Sequence, residues 1–443
     1  MTTEAEKIRA LPWCLVFLVL NGVFSVWTFG GSIFILFLDE LGLSKGQIGL
    51  LLSFFPFFGL IALGFAPVAA RLGRKRVFLA CFGWRNPVMA LLLLLPWVVT
   101  RHGHTAALLF LSAVVIGFAI LRTLGETAYT PWSQEFIPNR VRGIVTAWAA
   151  VLGLVMSGAA LAIAGLVIDR GTGLERYMLL IGTGCLIGFA GVMAMLKVSG
   201  GAPMPHAGGD STHGSKMREA LLDPNFRAYL GGSAGVTIGT AMLVSFLPLY
   251  IKEQLDISVA NIVRLDIAAM VGGAFACLGW GPLSDRLGSR PVLMPAVAGV
   301  FLLPLLWLLM PRQGPQVVGG CMALYLLYGV ASNGIGIGAV RLLFNGVIPP
   351  EKSTAYTAIY YAWQGLTAGI APLLSVSVLS AVSTWKMSIH GLVIDGYTVM
   401  FIVSMLFLLG GWILYGRVRP DGTHTTRTAI QGIVNRVMQR KFL

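Results

Sequence analysis

The sequence predicts an all-α polytopic membrane protein, with twelve transmembrane helices arranged as two similar six-helix halves. Its composition, its apolar runs and an internal repeat all predict this class. Of the 443 residues, 56% are hydrophobic and only 11% are charged, whereas about a quarter of the residues in a soluble domain are charged. The connections between the apolar runs are short, so helices are the spanning elements that can satisfy their own backbone hydrogen bonds in lipid.

The spans follow from run length, because about 20 apolar residues cross the hydrocarbon core of a bilayer. Two sets of six runs meet this requirement. The first set lies near 11–38, 47–69, 77–99, 106–131, 144–168 and 177–197. The second set lies near 226–250, 261–283, 291–310, 316–342, 354–382 and 396–416.

The two sets define four predicted segments. An N-terminal half, 1–197, is followed by a cytoplasmic linker, 198–225, whose Gly, Pro and Ser content is typical of a flexible connection. The C-terminal half, 226–416, is followed by a basic tail, 417–443. Apolar residues recur at helical spacing among the arginines of that tail, so we expect an amphipathic helix lying on the inner leaflet.

Charge distribution predicts the orientation. A formal net charge of +14 would suggest nucleic acid in a soluble protein, but here the basic residues lie mainly between apolar runs. One side of the membrane receives 20 Lys and Arg, including the tail, and the other side receives 7. Positively charged connections stay inside, so we expect a multi-pass inner-membrane protein with both termini in the cytoplasm. We also expect a monomer, and no nucleic-acid partner.

An internal repeat relates the halves. Residues 64–79, GFAPVAARLGRKRVFL, align with residues 279–294, GWGPLSDRLGSRPVLM, at a shift of 215. Two more pairs follow in the same order, 40–48 with 254–262 and 137–147 with 348–358. Both copies of each pair fall on the same side of the membrane, which predicts a parallel repeat with a binding site between the halves near the bilayer midplane.

The repeated turn after the second span of each half resembles a motif of the major facilitator superfamily, G-x-x-x-D-R-x-G-R-[KR]. The matching residues in the second half are Gly281, Asp285, Arg286, Gly288 and Arg290. The first half keeps Arg71, Gly73 and Arg74 but has Ala66 and Ala70 in place of glycine and aspartate. The resemblance covers the whole chain and implies that fold, transport by alternating access, and a gating role for these residues, with Asp285 and Arg286 as a gating pair. Anchoring to anionic lipid is the alternative role for Arg71 and Arg74.

Ionisable residues inside a span are costly and therefore mark candidate functional sites. Arg122 and Glu126 lie four residues apart in the fourth span, so they share one helix face. We expect an ion pair that opens when substrate or a proton binds, with Arg122 attracting an anionic group and Glu126 carrying the proton. A structural pair near the cytoplasmic end is the alternative.

Other polar residues in the spans are candidates for the same site. Arg85 lies about 12 Å into the third span at the helical rise, where it either reaches the cavity or extends to the interface. Asn21, in the first span, either binds ligand or hydrogen-bonds another helix. Asn333 corresponds to Arg122 at a shift of 211. Tyr360 and Gln364 either line the cavity or belong to an interfacial aromatic belt.

Motifs for nucleotide, haem, flavin and zinc binding are missing from the sequence, so we expect no cofactor, no metal site and no enzymatic activity. The five cysteines lie in apolar runs and are predicted to act as small hydrophobic side chains. The predicted function is secondary transport of a small solute by alternating access, with proton-coupled symport of an organic anion preferred. The alternatives are an exporter of neutral or hydrophobic compounds, and a non-transporting assembly factor or sensor with the same fold.

Overall fold

The computed structural model describes residues 4–138, 141–203, 213–349, 353–382, 387–389 and 392–421. The chain divides into two compact units. The first unit is Met1–Asp210 with Ile257–Arg264, and the second is Ser211–Asp256 with Leu265–Leu443. The helix predicted for the end of the tail lies outside the described residues.

The first unit contains eight α-helices that form six spans. They are α1 Glu4–Thr28, α2 Gly31–Glu40, α3 Lys45–Phe58, α4 Ala62–Leu72, α5 Arg74–Ala90, α6 Leu95–Phe136, α7 Arg142–Arg170 and α8 Glu175–Met195. Helices α1 and α2 together form the first span, and a 3₁₀ turn joins α3 to α4 in the second. At the start of α3, Ser44 and Gln47 form a reciprocal capping box, which satisfies two backbone donors that the helix leaves free.

The third and fourth spans are separated by a tight break inside α6. Gly103 has φ 80° and ψ 175° there, a conformation that glycine adopts without a Cβ clash. The third span therefore comprises α5, a 3₁₀ turn and the first part of α6, and the fourth span is the remainder of α6.

The second unit contains α9 His213–Leu222, α10 Pro224–Leu255, most of α11 Val259–Leu287 (from Leu265 onward), α12 Arg290–Leu309, α13 Val317–Leu342, α14 Ser353–Ala381 and α15 Gly396–Tyr415. Helices α10 to α15 are its six spans. The Asp223 side chain caps α10 by accepting the N–H of Asn225, and Pro224 occupies the first helical position, where the missing N–H costs nothing. A π-helical turn, Leu343–Val347, ends the tenth span.

The connection before α15 differs from the sequence prediction. It contains a small antiparallel hairpin, β1 Met387–Ile389 with β2 Leu392–Ile394, where only a loop was expected. Both strands are rich in β-branched and apolar residues, which favour extended backbone. The segment is too short to change the class of the fold.

The span count agrees with the prediction. Ten helical segments in the described part of the chain are long and apolar enough to cross a membrane, and one of these, Arg74–Phe136, contains the third and fourth spans. The second span is divided by its 3₁₀ turn, so its apolar part, Lys45–Ile61, is shorter. The predicted all-α fold with twelve spans is therefore confirmed.

Many large apolar side chains point away from the protein. Leu186, Phe275 and Leu278 are 73%, 70% and 76% exposed, as expected for positions that face lipid tails. Without water there is no hydrophobic drive between helices, so close packing of small residues holds membrane helices together. Helices α10 and α15 show this packing. A Cβ added at Gly235 would lie 2.7 Å from the backbone N of Gly411.

We expect Gly411→Leu to separate α10 from α15 and lower the free energy of unfolding by about 1–3 kcal/mol, because inserting atoms into a packed contact forces the backbones apart. A Cβ at Gly411 would lie 2.7 Å from the N of Val236, whereas one at Gly410 would meet nothing within 4 Å. Gly410→Leu is therefore the matched control. Thermal unfolding of the two purified variants in detergent checks the prediction, and equal midpoints would contradict it.

Candidate functional site

An ion pair lies on the fourth span of the first unit. The Nε of Arg122 donates to Oε1 of Glu126 at 2.8 Å, and the two side chains are 35% and 52% exposed. The four-residue spacing brings them onto one helix face, as the sequence indicated. The guanidinium of Arg122 also lies 5.0 Å from the ring centroid of Phe29. Both charges are therefore paired with each other and still reachable from outside the helix bundle.

Arg85 is buried beside this pair. It is only 1% exposed, so it does not extend to the interface. One of its terminal nitrogens donates to Oδ1 of Asn21, and its guanidinium lies 3.6 Å from the ring centroid of Phe82 and 4.8 Å from that of Phe24. Its Nε has no hydrogen-bond partner among the described residues. The structure thus joins the first and third spans through the two residues that the sequence left as separate candidates.

The charges of this cluster do not balance. Of the charged residues in 1–210, Arg85, Arg122 and Glu126 lie well inside the predicted spans. Arg122 is paired with Glu126, whereas the buried Arg85 is hydrogen-bonded to the neutral Asn21. These three charged groups leave an excess of one positive charge. In a medium of low dielectric constant such an excess attracts anions more strongly than it would in water.

Asn333 lies in the tenth span of the second unit and contacts its own helix and the eighth span. Its Nδ2 donates to the carbonyl of Gly329 at 3.1 Å, and its Oδ1 lies 3.4 Å from Sγ of Cys277. Four of the five cysteines are buried and free, as predicted, but Cys277 is exposed.

Tyr360 and Gln364 form a polar cluster in the same unit. Nε2 of Gln364 donates to the hydroxyl of Tyr360 at 3.0 Å, and the hydroxyl of Thr237 donates to Oε1 of Gln364 at 2.9 Å. The rings of Tyr229 and Tyr360 lie 5.9 Å apart between centroids. Tyr360 is buried, so it is not part of an interfacial belt. The amide of Gln364 is oriented by both neighbours.

The motif residues of the second unit lie at the end of α11. The carboxylate of Asp285 is paired with Arg341, from the end of α13, whereas Arg286 is exposed. Consecutive residues on a helix point in different directions, so Asp285 and Arg286 contact different surroundings, and the gating role predicted for the two residues stays a prediction. Gly281 lies one turn before this pair, and Gly288 ends the helix with φ 92°. Arg290 donates to the carbonyl of Gly416.

The corresponding turn of the first unit has no carboxylate at the equivalent position, Ala70. Arg71 is exposed and Arg74 is half-buried. Gly73 has φ 97°, so the turn uses a backbone conformation that suits glycine. This half of the motif therefore keeps its turn geometry and its positive charge without the acidic partner.

Arg341 was not predicted as a partner of the motif, since it lies 56 residues from Asp285. The aromatic rings around Arg85 were not predicted either. Phe24 follows Asn21 by three residues and Phe82 precedes Arg85 by three. Helical spacing on both sides of a charged residue is a signal that could have identified them.

The comparisons with known proteins agree with this architecture. The chain is 25% identical over 260 residues to the ectoine/proline transporter ProP of Corynebacterium glutamicum, which covers 54% of this chain and 51% of that protein. The chain thus matches about half the length of this curated relative.

Solved structures are similar over most of the chain. The nucleoside transporter NupG gives a TM-score of 0.66 at 14% identity, with 93% of this chain and 98% of that chain covered. A bacterial homologue of the human lysosomal transporter Spinster gives 0.65 at 14%, with 97% and 99% covered. At this identity the likeness shows the fold. The model of the Major Facilitator Superfamily matches residues 15–372 and, in a second match, 232–434, and the chain belongs to this family.

Proposed function

We propose that the protein is a proton-coupled secondary transporter of a small organic anion, working by alternating access. The observation that carries this proposal is the excess positive charge in the spans of the first unit, where Arg122 is paired with Glu126 and the buried Arg85 is hydrogen-bonded to the neutral Asn21. A family member carries a solute across the membrane without converting it, so the charged groups in its spans serve binding and coupling rather than catalysis.

Arg122 is the proposed primary contact for the anionic group. Its guanidinium is reachable, and its bond to Glu126 occupies Nε and leaves the two terminal nitrogens, a geometry suited to a carboxylate or phosphate oxygen pair. Arg85 is buried, so it adds positive charge without being reachable itself. The relative ProP is named for ectoine and proline, which are zwitterions of zero net charge, so its name supports a carboxylate contact at Arg122 and not a net negative charge on the solute.

Glu126 is the proposed proton carrier. An anion that binds Arg122 competes with Glu126 for the same guanidinium. A carboxylate that loses its cationic partner binds a proton more readily, so anion binding and proton binding favour each other. Asn333, Tyr360 and Gln364 stay proposed as polar residues that bind the solute. From the distribution of Lys and Arg, we propose that the protein lies in the inner membrane with both termini in the cytoplasm.

Proteoliposomes containing a pH-sensitive dye test this function. Pools of anionic, neutral and cationic metabolites are added to vesicles with the wild-type protein, with Arg122→Gln, with Arg101→Gln as the matched control on an exposed arginine, and without protein. We expect a pH change with the anionic pool that Arg122→Gln abolishes and Arg101→Gln preserves.

Two other outcomes would overturn this function. A response to neutral pools alone, unchanged in Arg122→Gln, would favour the exporter of neutral or hydrophobic compounds. Failure of all flux in radiolabelled exchange assays, together with stable co-purification of one protein, would favour an assembly factor or sensor.

A further inference from the structure

The two units share an arrangement around the turn that follows the second span of each unit, which we call the motif turn. In each unit the segment after the last span folds back onto the turn after the second span. We call these the return segments, residues 196–203 in the first unit and 416–421 in the second. The turns they contact are 73–75 and 288–290.

Each return segment begins with the same backbone turn. The N–H of Val198 donates to the carbonyl of Met195 at 3.2 Å, and the N–H of Val418 donates to the carbonyl of Tyr415 at 3.2 Å. Both valines are fully buried. Each follows a basic residue, so the pairs Lys-Val and Arg-Val recur at a shift of 220. The repeat of the two halves therefore extends past their last spans.

In both units, a basic side chain from the turn after the second span donates to a carbonyl at the start of the return segment. Nζ of Lys75 donates to the carbonyl of Leu196 at 2.9 Å, and Arg290 donates to the carbonyl of Gly416. Leu196 and Gly416 are the C-cap residues of α8 and α15. Carbonyls at a helix C-terminus lack intrahelical partners and carry partial negative charge, so a cation stabilises them. Lys75 and Arg290 are equivalent at the repeat shift of 215.

A carboxylate accepts hydrogen bonds in both arrangements, but it belongs to a different element in each unit. In the first unit, both carboxylate oxygens of Glu135 accept the N–H of Gly201 at 3.1 Å. Glu135 belongs to the fourth span. In the second unit, Oδ1 of Asp421 accepts the N–H of Ser289 at 2.9 Å and Oδ2 accepts its hydroxyl. Asp421 belongs to the tail.

The repeat explains this difference. At the shift of 211, Glu135 corresponds to Gly346 at the end of the tenth span. A Cβ added at Gly346 would lie 3.1 Å from the Cβ of Asp421. Asp421 thus occupies the space where the first unit has a glutamate side chain. Ser289, which stands where the family motif has arginine, supplies the donors for this carboxylate.

The first return segment is fixed by close backbone contact. Gly201 has φ 72°, and a Cβ there would lie 2.7 Å from the N of Lys75. The indole N–H of Trp132 donates to the carbonyl of Ser199 at 3.1 Å. These contacts lie within one unit and leave Glu135 anchored in a transmembrane helix.

The second return segment joins further elements of its unit. The N–H of Arg419 donates to Oδ1 of Asn225 at 2.9 Å, and Nδ2 of Asn225 lies 3.4 Å from the carbonyl of Gly346. Asn225 begins the seventh span and Gly346 ends the tenth. Residues 416–421 therefore link four spans of the second unit, α10, α12, α13 and α15.

We propose that the start of the tail is a detachable lock for the second unit, with Asp421 replacing the carboxylate that Glu135 supplies permanently in the first unit. In the first unit, the carboxylate that bonds the return segment belongs to a transmembrane helix. In the second unit, the carboxylate belongs to the tail, so its bond to the turn depends on the position of the tail. Drawing the tail away frees the turn at 288–290 and leaves the turn at 73–75 unchanged. The lock also gives the motif a stabilising acid in a unit whose own Asp285 is paired with Arg341.

Hydrogen exchange measured by mass spectrometry on the purified full-length protein tests the lock. We expect Asp421→Ala to raise the exchange rate of the Ser289 amide about tenfold or more, since a bond to a charged acceptor is lost. Peptides covering 73–79 should be unchanged. Glu135→Ala should show the reverse pattern, with faster exchange at Gly201. Arg417→Ala, an exposed neighbour, is the matched control and should resemble the wild type.

Truncations locate the lock. A chain ending at Asp421 should keep the protection of Ser289, and a chain ending at Gly416 should lose it. Adding Gly346→Glu to Asp421→Ala rebuilds the arrangement of the first unit and should restore part of the protection. Unchanged exchange in Asp421→Ala, equal losses in both units, or loss of protection in the chain ending at Asp421 would each overturn the proposal.

Discussion

Asn21→Leu is expected to lower the free energy of unfolding by about 2–3 kcal/mol, the value of a hydrogen bond to a charged group whose partner stays buried. Oδ1 of Asn21 accepts a hydrogen bond from the guanidinium of Arg85, which is 1% exposed. Leucine has similar size and suits a transmembrane helix, so the loss comes from the guanidinium left without an acceptor. Thermal or denaturant unfolding in a mild detergent measures it.

The double-mutant cycle with Arg85→Leu is the control. Replacing both members of a buried charged pair with well-packed apolar side chains is often neutral or stabilising by about 1–4 kcal/mol. The double variant should therefore regain what Asn21→Leu loses. Anion uptake should stay low in both variants that lack Arg85. A double variant as unstable as Asn21→Leu would show that Asn21 acts through packing and not through Arg85.

Glu126→Gln is expected to abolish proton uptake and solute accumulation while solute exchange across the membrane survives. Glutamine keeps the size of the side chain and an oxygen that can accept from Arg122, but it does not titrate. An exposed ion pair is worth about 0–1 kcal/mol, so the KM for exchange should change by no more than about fivefold. Stability should also be close to that of the wild type.

Counterflow in vesicles without a pH gradient, beside accumulation in vesicles with one, separates the two effects. Glu175→Gln is the matched control, because it removes an exposed carboxylate of the same unit. The assignment of Glu126 fails if Glu126→Gln still accumulates solute with a pH change. Loss of both exchange and accumulation would instead make Glu126 a binding residue.

The sequence predicted the elements of the fold well because each has a local signal. Span length, the basic connections and three aligned segments are all readable along the chain. The hairpin at 387–394 was missed because it is short and lies beside a long helix. The ion pair of Arg122 and Glu126 was predictable from their spacing on one helix.

Contacts between helices were not predictable in the same way. The bond from Arg85 to Asn21 joins positions 64 residues apart, and no pattern in a single chain says which faces of two helices meet. Asp421 was missed for a different reason. The sequence signal for its segment is the recurrence of Lys-Val as Arg-Val, and a two-residue match is too short to identify a repeat until the turn geometry is known.

The order of the spans along the chain has a consequence for biosynthesis. An arginine at the centre of an isolated helix opposes insertion into the bilayer. Because chains are made from the N-terminus, the first span already presents its asparagine when the third span emerges. The carboxylate on the fourth span follows across the single glycine break in α6. The chain therefore delivers an acceptor before the buried cation and a counter-charge directly after it, so that this cation enters the bilayer between two groups that stabilise it.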